Sequence, residues 1–243
     1  RAHVAQALEQ SRIETEAERL RGTMLASLSH DLRTPIAGVL GAASSLRAYG
    51  DRHDPSTRDG LLASIEDEAT RMQRYVEKLL DMTRLDAGSI QAHLEPLDPP
   101  DVLAAVVSRA RKLDEGRTIR LDVERDLPMV RADAALLDQA LFNLVENALA
   151  HTANGEIVIG AARSRGGVAF TVVDEGRGIA PGDEARIFER FARAASADVR
   201  GTGLGLAIVK GFVSLMGAHV SARNRSDRTG AVFEIAFSAE SLA

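Results

Sequence analysis

Near the end of the chain, Gly201-Thr202-Gly203-Leu204-Gly205-Leu206 leads into Ala207, Ile208, Val209 and Phe212, an apolar set with helical spacing. Glycines just ahead of a helix leave backbone N–H groups open to a phosphate, and the helix dipole favours its charge. The spacing is G-x-G-x-G, late in the sequence and with no βαβ unit behind it, which argues against a dinucleotide fold. Lys78, Lys112 and Lys210 are the only lysines, and none stands in a G-K-[ST] context, so a Walker P-loop is absent. A second group is Asn143 and Asn147 within Leu141-Phe142-Asn143-Leu144-Val145-Glu146-Asn147-Ala148. Four residues apart on a helix, the two amides share one face, with Leu141, Leu144, Val145 and Ala148 on the buried side. Amide oxygens are hard ligands that suit Mg²⁺ bridging phosphates, though two asparagines on a solvated face would look the same. A third group follows the strand-like run Val168–Val173: Asp174-Glu175-Gly176-Arg177-Gly178-Ile179. A carboxylate at a strand end can accept a hydrogen bond from an exocyclic amine, and glycines admit a flat ring close to the backbone. A plain turn fits that segment equally well.

The fourth feature is His30. It lies two residues after Leu28 and two before Leu32, so at 100° per residue it points away from the apolar stripe. Asp31 adjoins it, Thr34 lies one turn on, and Pro35 removes the bond that would run to the Asp31 carbonyl. An exposed imidazole beside a carboxylate suits a nucleophile whose ring tautomer is fixed and whose proton has a destination. A solvated surface histidine on a helical bundle satisfies the same geometry.

These groups need two kinds of scaffold. Up to about Ala87 the pattern is helical: Ile13, Ala17, Leu20 and Met24 form a heptad seam. Leu25, Leu28, Leu32, Ile36, Val39, Leu40, Ala43 and Leu46 extend a stripe. Tyr49–Thr57 is turn chemistry, and Leu62, Ile65, Ala69, Met72, Val76, Leu79 and Thr83 repeat at alternating spacings of three and four. Two amphipathic helices cannot enclose a core by themselves, so pairing with a second copy into a four-helix bundle is expected. Residues Ala87–Pro100 read as a linker. Beyond them, helices are expected over Asp101–Lys112 and Ala134–His151, the latter capped by Asp133. Strands are expected over Ile119–Val123, Glu156–Ala162, Val168–Val173 and Ala231–Phe237. The fold class is therefore α+β, with domains over residues 1–90 and 91–243.

Composition closes off several functions. With 30 basic against 35 acidic side chains the formal charge is −5, the wrong sign for a general nucleic-acid binder. Cysteine is absent, which excludes disulfides, thiolate zinc sites and thiol nucleophiles. No run of 18 apolar residues predicts a membrane span, and a start at Arg1 rather than Met points to a processed or shortened chain. His3, His53, His93 and His219 read as surface or structural residues, having no metal-ligand spacing.

Taken together, these motifs resemble a known family. Ser29-His30-Asp31-Leu32-Arg33-Thr34-Pro35 resembles the H box of sensor histidine kinases of two-component systems. The asparagine, Asp174 and Gly201–Gly205 segments resemble, in order, the N, G1 and G2 boxes of the ATPase fold of histidine kinases, gyrase B, Hsp90 and MutL. Ile187-Phe188-Glu189-Arg190-Phe191 resembles the F box of histidine kinases. The resemblance runs from about Arg21 to Phe237. It implies a dimeric four-helix bundle followed by an α/β sandwich, with ATP and Mg²⁺ as cofactors. It also implies His30 as phosphoacceptor, Asp31 as its acid/base partner, and Thr34 as the residue that positions water for dephosphorylating a response regulator.

Position by position, the resemblance further implies Asn147 as the Mg²⁺ ligand with Asn143 nearby, and Asp174 on the adenine amino group. Gly176 and Gly178 would shape the adenine pocket, Pro181–Arg200 would be a lid, and Arg190 would reach the terminal phosphate. Gly201, Thr202, Gly203, Leu204 and Gly205 would hold the phosphates. Partners would be a second copy and a receiver domain, with no direct nucleic acid and membrane attachment only through segments upstream, in a parent inner-membrane protein whose cytoplasmic portion this is. One departure stands out: where the family often has Lys after the N box, this chain has Ala150-His151, which leaves His151 or Arg190 to supply the missing cation. Ser29–Leu46 resembles more narrowly the potassium-responsive Kdp-type sensors. Rival readings are a protein working mainly as a regulator phosphatase, and an ATP-binding scaffold without phosphotransfer. The Ile13–Met24 heptad would transmit a register change from an upstream sensor.

Overall fold

The computed structural model describes residues 32–50, 52–114, 116–164, 166–192 and 203–242. His30, Asp31, the Ile13–Met24 seam, Gly201, Thr202 and positions 193–200 of the expected lid lie outside the described residues. The chain divides into two units, residues 1–77 and 78–243.

In the first unit, residues 32–49 form helix α1 and helix α2 runs over Pro55–Asp86, crossing into the second unit. Asp54 starts α2: its carboxylate accepts the Thr57 backbone N–H at 2.9 Å and the Thr57 hydroxyl at 2.7 Å, while Pro55 supplies a preset φ at the first helical position. His53, in the turn, has a structural role. Its Nε2 lies 3.0 Å from Ser45 Oγ and its ring meets Tyr49 edge-on, with centroids 6.2 Å apart. The expected α2 stripe splits. Ile65, Met72 and Leu79 are half-buried, with Tyr75 and Met82 buried along the same side, whereas Leu62, Ala69, Val76 and Thr83 stay exposed.

The second unit is a two-layer sandwich. Its five-stranded mixed sheet has the order β2-β4-β5-β7-β6. The strands are β2 (Thr118–Val123), β4 (Glu156–Ser164), β5 (Gly167–Val173), β6 (His219–Asn224) and β7 (Ala231–Ser238). Only β2 and β4 pair in parallel, and the other pairings are antiparallel. Helices α3 (Pro99–Leu113), α4 (Ala134–His151) and α5 (Gly205–Leu215) pack on the sheet and on one another. Leu103, Leu141, Leu144, Ile208 and Phe212 meet Ile157, Ile159, Phe170, Ile235 and Phe237 in one buried core. Phe170 and Phe237 contact edge-to-face at 5.8 Å. Period-two burial on β7 (Phe233, Ile235, Phe237) explains why that strand is visible in the sequence.

The stretch expected to be a linker is more structured than it reads. Glu95–Leu97 forms β1, paired antiparallel with β3 (Val130–Ala132) through Glu95↔Ala132 and Leu97↔Val130. Pro99 and Pro100 open α3 rather than separating domains, because proline at the first helical turn forfeits no hydrogen bond the helix would make. The last turns of α2 belong to the sandwich as well: Met82 is buried in its core and Leu85 packs against it. A Cβ at Gly211 of α5 would come within 2.7 Å of a Leu85 methyl.

Candidate functional site

Helix α4 carries the two asparagines. Asp133 caps it by accepting the N–H groups of Ala135 and Leu136 at 3.0 and 3.1 Å, and it also accepts the His93 N–H at 2.9 Å. Burial pulls the Asp133 carboxyl upward, but these three donors outweigh it and hold it below its ordinary range. Leu141, Leu144, Val145 and Ala148 face the core, as expected. Asn143 is itself buried, 6% exposed. Its Nδ2 donates to the Gln139 carbonyl at 3.0 Å, while its buried Oδ1 has no hydrogen-bond partner among the described residues. A desolvated amide oxygen without a donor costs stability unless something supplies positive charge or a proton, so a hard cation fits this atom. Asn147, one turn on, is half-buried.

Helix α5 starts at Gly205, and its N-cap residue Leu204 makes no side-chain cap bond among the described residues. The Asn143 Oδ1 lies 3.6 Å from where a Cβ on Gly205 would stand. Two of the expected motifs thus converge, the asparagine helix and the glycine segment before α5, although Gly201 and Thr202 themselves are outside the described residues. Gly203 and Leu204 precede α5 directly, with Leu204 fully buried.

Asp174 sits at the end of β5 and is 2% exposed. Its Oδ1 accepts the Gly176 N–H at 2.8 Å and the Ala231 N–H at 3.1 Å; Oδ2 takes neither bond. The neighbouring glycines are required first by the protein. A Cβ on Gly176 would lie 2.6 Å from the His151 carbonyl oxygen, and one on Gly178, at φ +77°, 2.6 Å from Asn224 Oδ1. Asn224 was not visible as a site residue in the sequence, yet it holds the loop through both ends of its amide. Its Oδ1 accepts the Ile179 N–H at 2.6 Å and its Nδ2 donates to the Ile179 carbonyl at 2.8 Å.

Neither residue left to replace the absent lysine is a free cation at α5. The His151 imidazole is half-buried; burial first and the Arg177 charge second push it below its ordinary value, against the opposing pull of Asp174. Arg190 pairs with Asp86 near the end of α2, its Nη1 2.8 Å from Oδ2 and its Nη2 on Oδ1. Lys78, which carried no signal in the sequence, does reach α5. Its Nζ bonds Glu146 of α4 at 2.6 Å and lies 3.9 Å from the Cβ position of Gly205. Of the expected phosphotransfer residues, only Thr34 is described, exposed on α1.

The family described as "His Kinase A (phospho-acceptor) domain" matches residues 20–88. That described as "Histidine kinase-, DNA gyrase B-, and HSP90-like ATPase" matches residues 132–241. The chain belongs to the sensor histidine kinases. The sensor protein KdpD of Clostridium acetobutylicum is 35% identical over 230 residues, 93% of this chain and 25% of that protein. The chain thus spans about a quarter of the length of such curated relatives. Full-length ShkA, solved in complex with AMPPNP, is 35% identical with a TM-score of 0.62, over 87% of this chain and 44% of that one. ThkA, solved in complex with the response regulator TrrA, shares the fold with a TM-score of 0.68 at 23% identity, over 90% of this chain and 62% of that one. No helix among the described residues is long and apolar enough to cross a membrane.

Proposed function

We propose that this chain is the catalytic core of a sensor histidine kinase that phosphorylates His30 from ATP and passes the phosphoryl group to an aspartate of a response regulator. Residues 1–90 act as the dimerisation and phosphotransfer domain and residues 91–243 as the ATP-binding domain. The observation that carries the reading is the buried Asn143 Oδ1, without a hydrogen-bond partner among the described residues, beside the first turn of α5.

Asp174 reads the adenine amino group, and the loop of Gly176 and Gly178 shapes the pocket behind it. The α5 N-terminus with Gly201–Gly205 receives the phosphates. Asn147 would hold Mg²⁺ with Asn143 beside it; when bound, that ion neutralises charge on the phosphate oxygens. An imidazole nitrogen of His30 forms the new N–P bond as the bond from the γ-phosphorus to the β–γ bridging oxygen breaks, and ADP leaves with that electron pair. Asp31 fixes the ring and takes the proton from the other nitrogen. On transfer, a receiver carboxylate oxygen forms a bond to phosphorus and the electron pair of the N–P bond returns to the ring. The protein's contribution is positioning and charge.

The exposed half of the hairpin stripe supports a homodimer: Leu40 is 61% exposed, and Leu62 and Val76 are each 45% exposed. A second copy would cover them in a four-helix bundle. The likeness to KdpD over nearly the whole chain supports a Kdp-type sensor, with this core on the cytoplasmic side of an inner-membrane protein. A second reading, a protein working mainly as a regulator phosphatase through Thr34, is favoured by Ala150 and by the engagement of Arg190 with Asp86.

The test is incubation with γ-labelled ATP and Mg²⁺ beside a His30→Gln variant. Label that is acid-labile and absent from the variant is expected. ATP binding without label would overturn the kinase reading in favour of the phosphatase or scaffold.

A further inference from the structure

We infer that Lys78, near the C-terminal end of α2, is a phosphate-binding residue of the nucleotide site, supplying the cation that Ala150 does not. The inference rests on the nucleotide reading above and adds a residue to it.

A polyphosphate at the start of α5 brings several negative charges into a half-buried corner, and N–H dipoles alone leave much of that charge uncompensated. Three lysines exist in the chain. Lys112 and Lys210 are exposed on the last turn of α3 and the middle of α5. Arg190 is engaged by Asp86, and the ring of His151 is pushed toward its neutral form by burial and by the Arg177 charge.

Lys78 is placed differently. Its Nζ and the orphaned Asn143 Oδ1 both come within 4 Å of one point, the Cβ position of Gly205 at the first turn of α5. A side chain at residue 205 would occupy that point, and glycine keeps it open. The same ammonium holds Glu146 Oε2 at 2.6 Å, with the two side chains 23% and 15% exposed. Glu146 lies between Asn143 and Asn147 on α4, so its carboxylate occupies the place of an anion at this corner. A phosphate oxygen arriving there takes over one of the three N–H donors of Lys78. The cation thus comes from the helical hairpin instead of from α4, which ties occupancy of the nucleotide site to the seating of the last turns of α2.

The ion pair could instead only brace α2 against α4, and the two roles make opposite predictions for the two partners. The measurement is calorimetric titration of ATP with Mg²⁺ into the whole chain and its variants, with thermal unfolding in the absence of nucleotide to verify folding. Lys78→Met is expected to weaken ATP about tenfold or more, the loss of one charge-assisted hydrogen bond. Glu146→Gln breaks the same pair but leaves the cation, so it is expected to bind ATP as well as or better than the parent. Adding Ala150→Lys to Lys78→Met is expected to restore most of the loss. Equal losses in Lys78→Met and Glu146→Gln, no loss in Lys78→Met, or failure of Ala150→Lys to rescue would overturn the inference while leaving the nucleotide reading intact. No ATP binding by the parent chain would overturn that reading and the inference with it.

Discussion

At Asp174 the architectural role of the carboxylate can be separated from its proposed role in reading adenine. It is 2% exposed, and its Oδ1 receives two backbone donors, Gly176 at 2.8 Å and Ala231 at 3.1 Å. Asp174→Ala strands both N–H groups in a buried place at about 1–3 kcal/mol each, so a loss of about 2–6 kcal/mol is expected. For a domain of this size, 1 kcal/mol corresponds to roughly 2–4 °C in Tm, which makes the effect large. Asp174→Asn keeps the volume, and the two donors force the amide oxygen into the Oδ1 position. The amide NH₂ then stands where Oδ2 stood. Stability should fall by only about 1–2 kcal/mol, the difference between charged and neutral acceptors. Nucleotide binding should nevertheless fall about a hundredfold or more, because an adenine amino donor now meets a donor. Denaturant unfolding and calorimetric ATP titration on both variants provide the assay. An Asp174→Asn chain that binds ATP like the parent would refute the adenine-reading role, and an unimpaired Asp174→Ala would refute the architectural one.

Further expectations follow from other parts of the second unit. Asp133→Ala removes the α4 cap and should lower stability by about 1–2 kcal/mol. Because the folded carboxyl sits below its ordinary ~3.9, that contribution is present above this value and fades as pH falls through the folded value; an acid unfolding limb identical in parent and variant would contradict this. His151 sits below its ordinary ~6.5 through burial and then Arg177, so the unfolded chain holds more protons between the two values. Stability therefore rises with pH across that window and levels off at its lower value beneath it; His151→Gln should flatten the profile below about pH 6.5, and an unchanged slope would contradict it. Asp86→Asn releases Arg190 from an exposed pair, with side chains 55% and 40% exposed. Stability should move by less than about 1 kcal/mol, while the rate of His30 labelling should rise; a fall would show the pair to be needed for catalysis.

Local signals made parts of this architecture legible. Helix α4 is bounded in the sequence by the Asp133 cap and by apolar periodicity ending at His151, and the structure has those same limits. Strand β7 announces itself by alternate burial through Phe233, Ile235 and Phe237, and β5 by its apolar run over Val168–Val173. The short β1 and β3 have only three residues each, too few for a period. On β6 only Val220 is buried, so its sequence looks like loop. The proline pair at 99–100 suggested a break because its local chemistry suits linkers and first helical turns alike. Within the candidate site, the chain order of the motifs singles out Asn143, Asp174 and the glycines. Lys78 and Asn224 escaped because their partners are 68 and 45 residues away, Glu146 and Ile179 respectively; such contacts exist only once the sandwich has formed. The split of the α2 stripe was hidden for a related reason, since a single apolar repeat does not say which half packs inside its own chain.

The central claim is that phosphate from ATP arrives on His30. The direct measurement is mass spectrometry, under alkaline conditions that preserve phosphoramidates, of the chain after incubation with ATP and Mg²⁺. A phosphoryl group is expected on the peptide carrying Ser29-His30-Asp31, localised to His30 and lost in His30→Gln. Phosphate on Ser29 or Thr34 instead, or none on a chain that binds ATP, would contradict it.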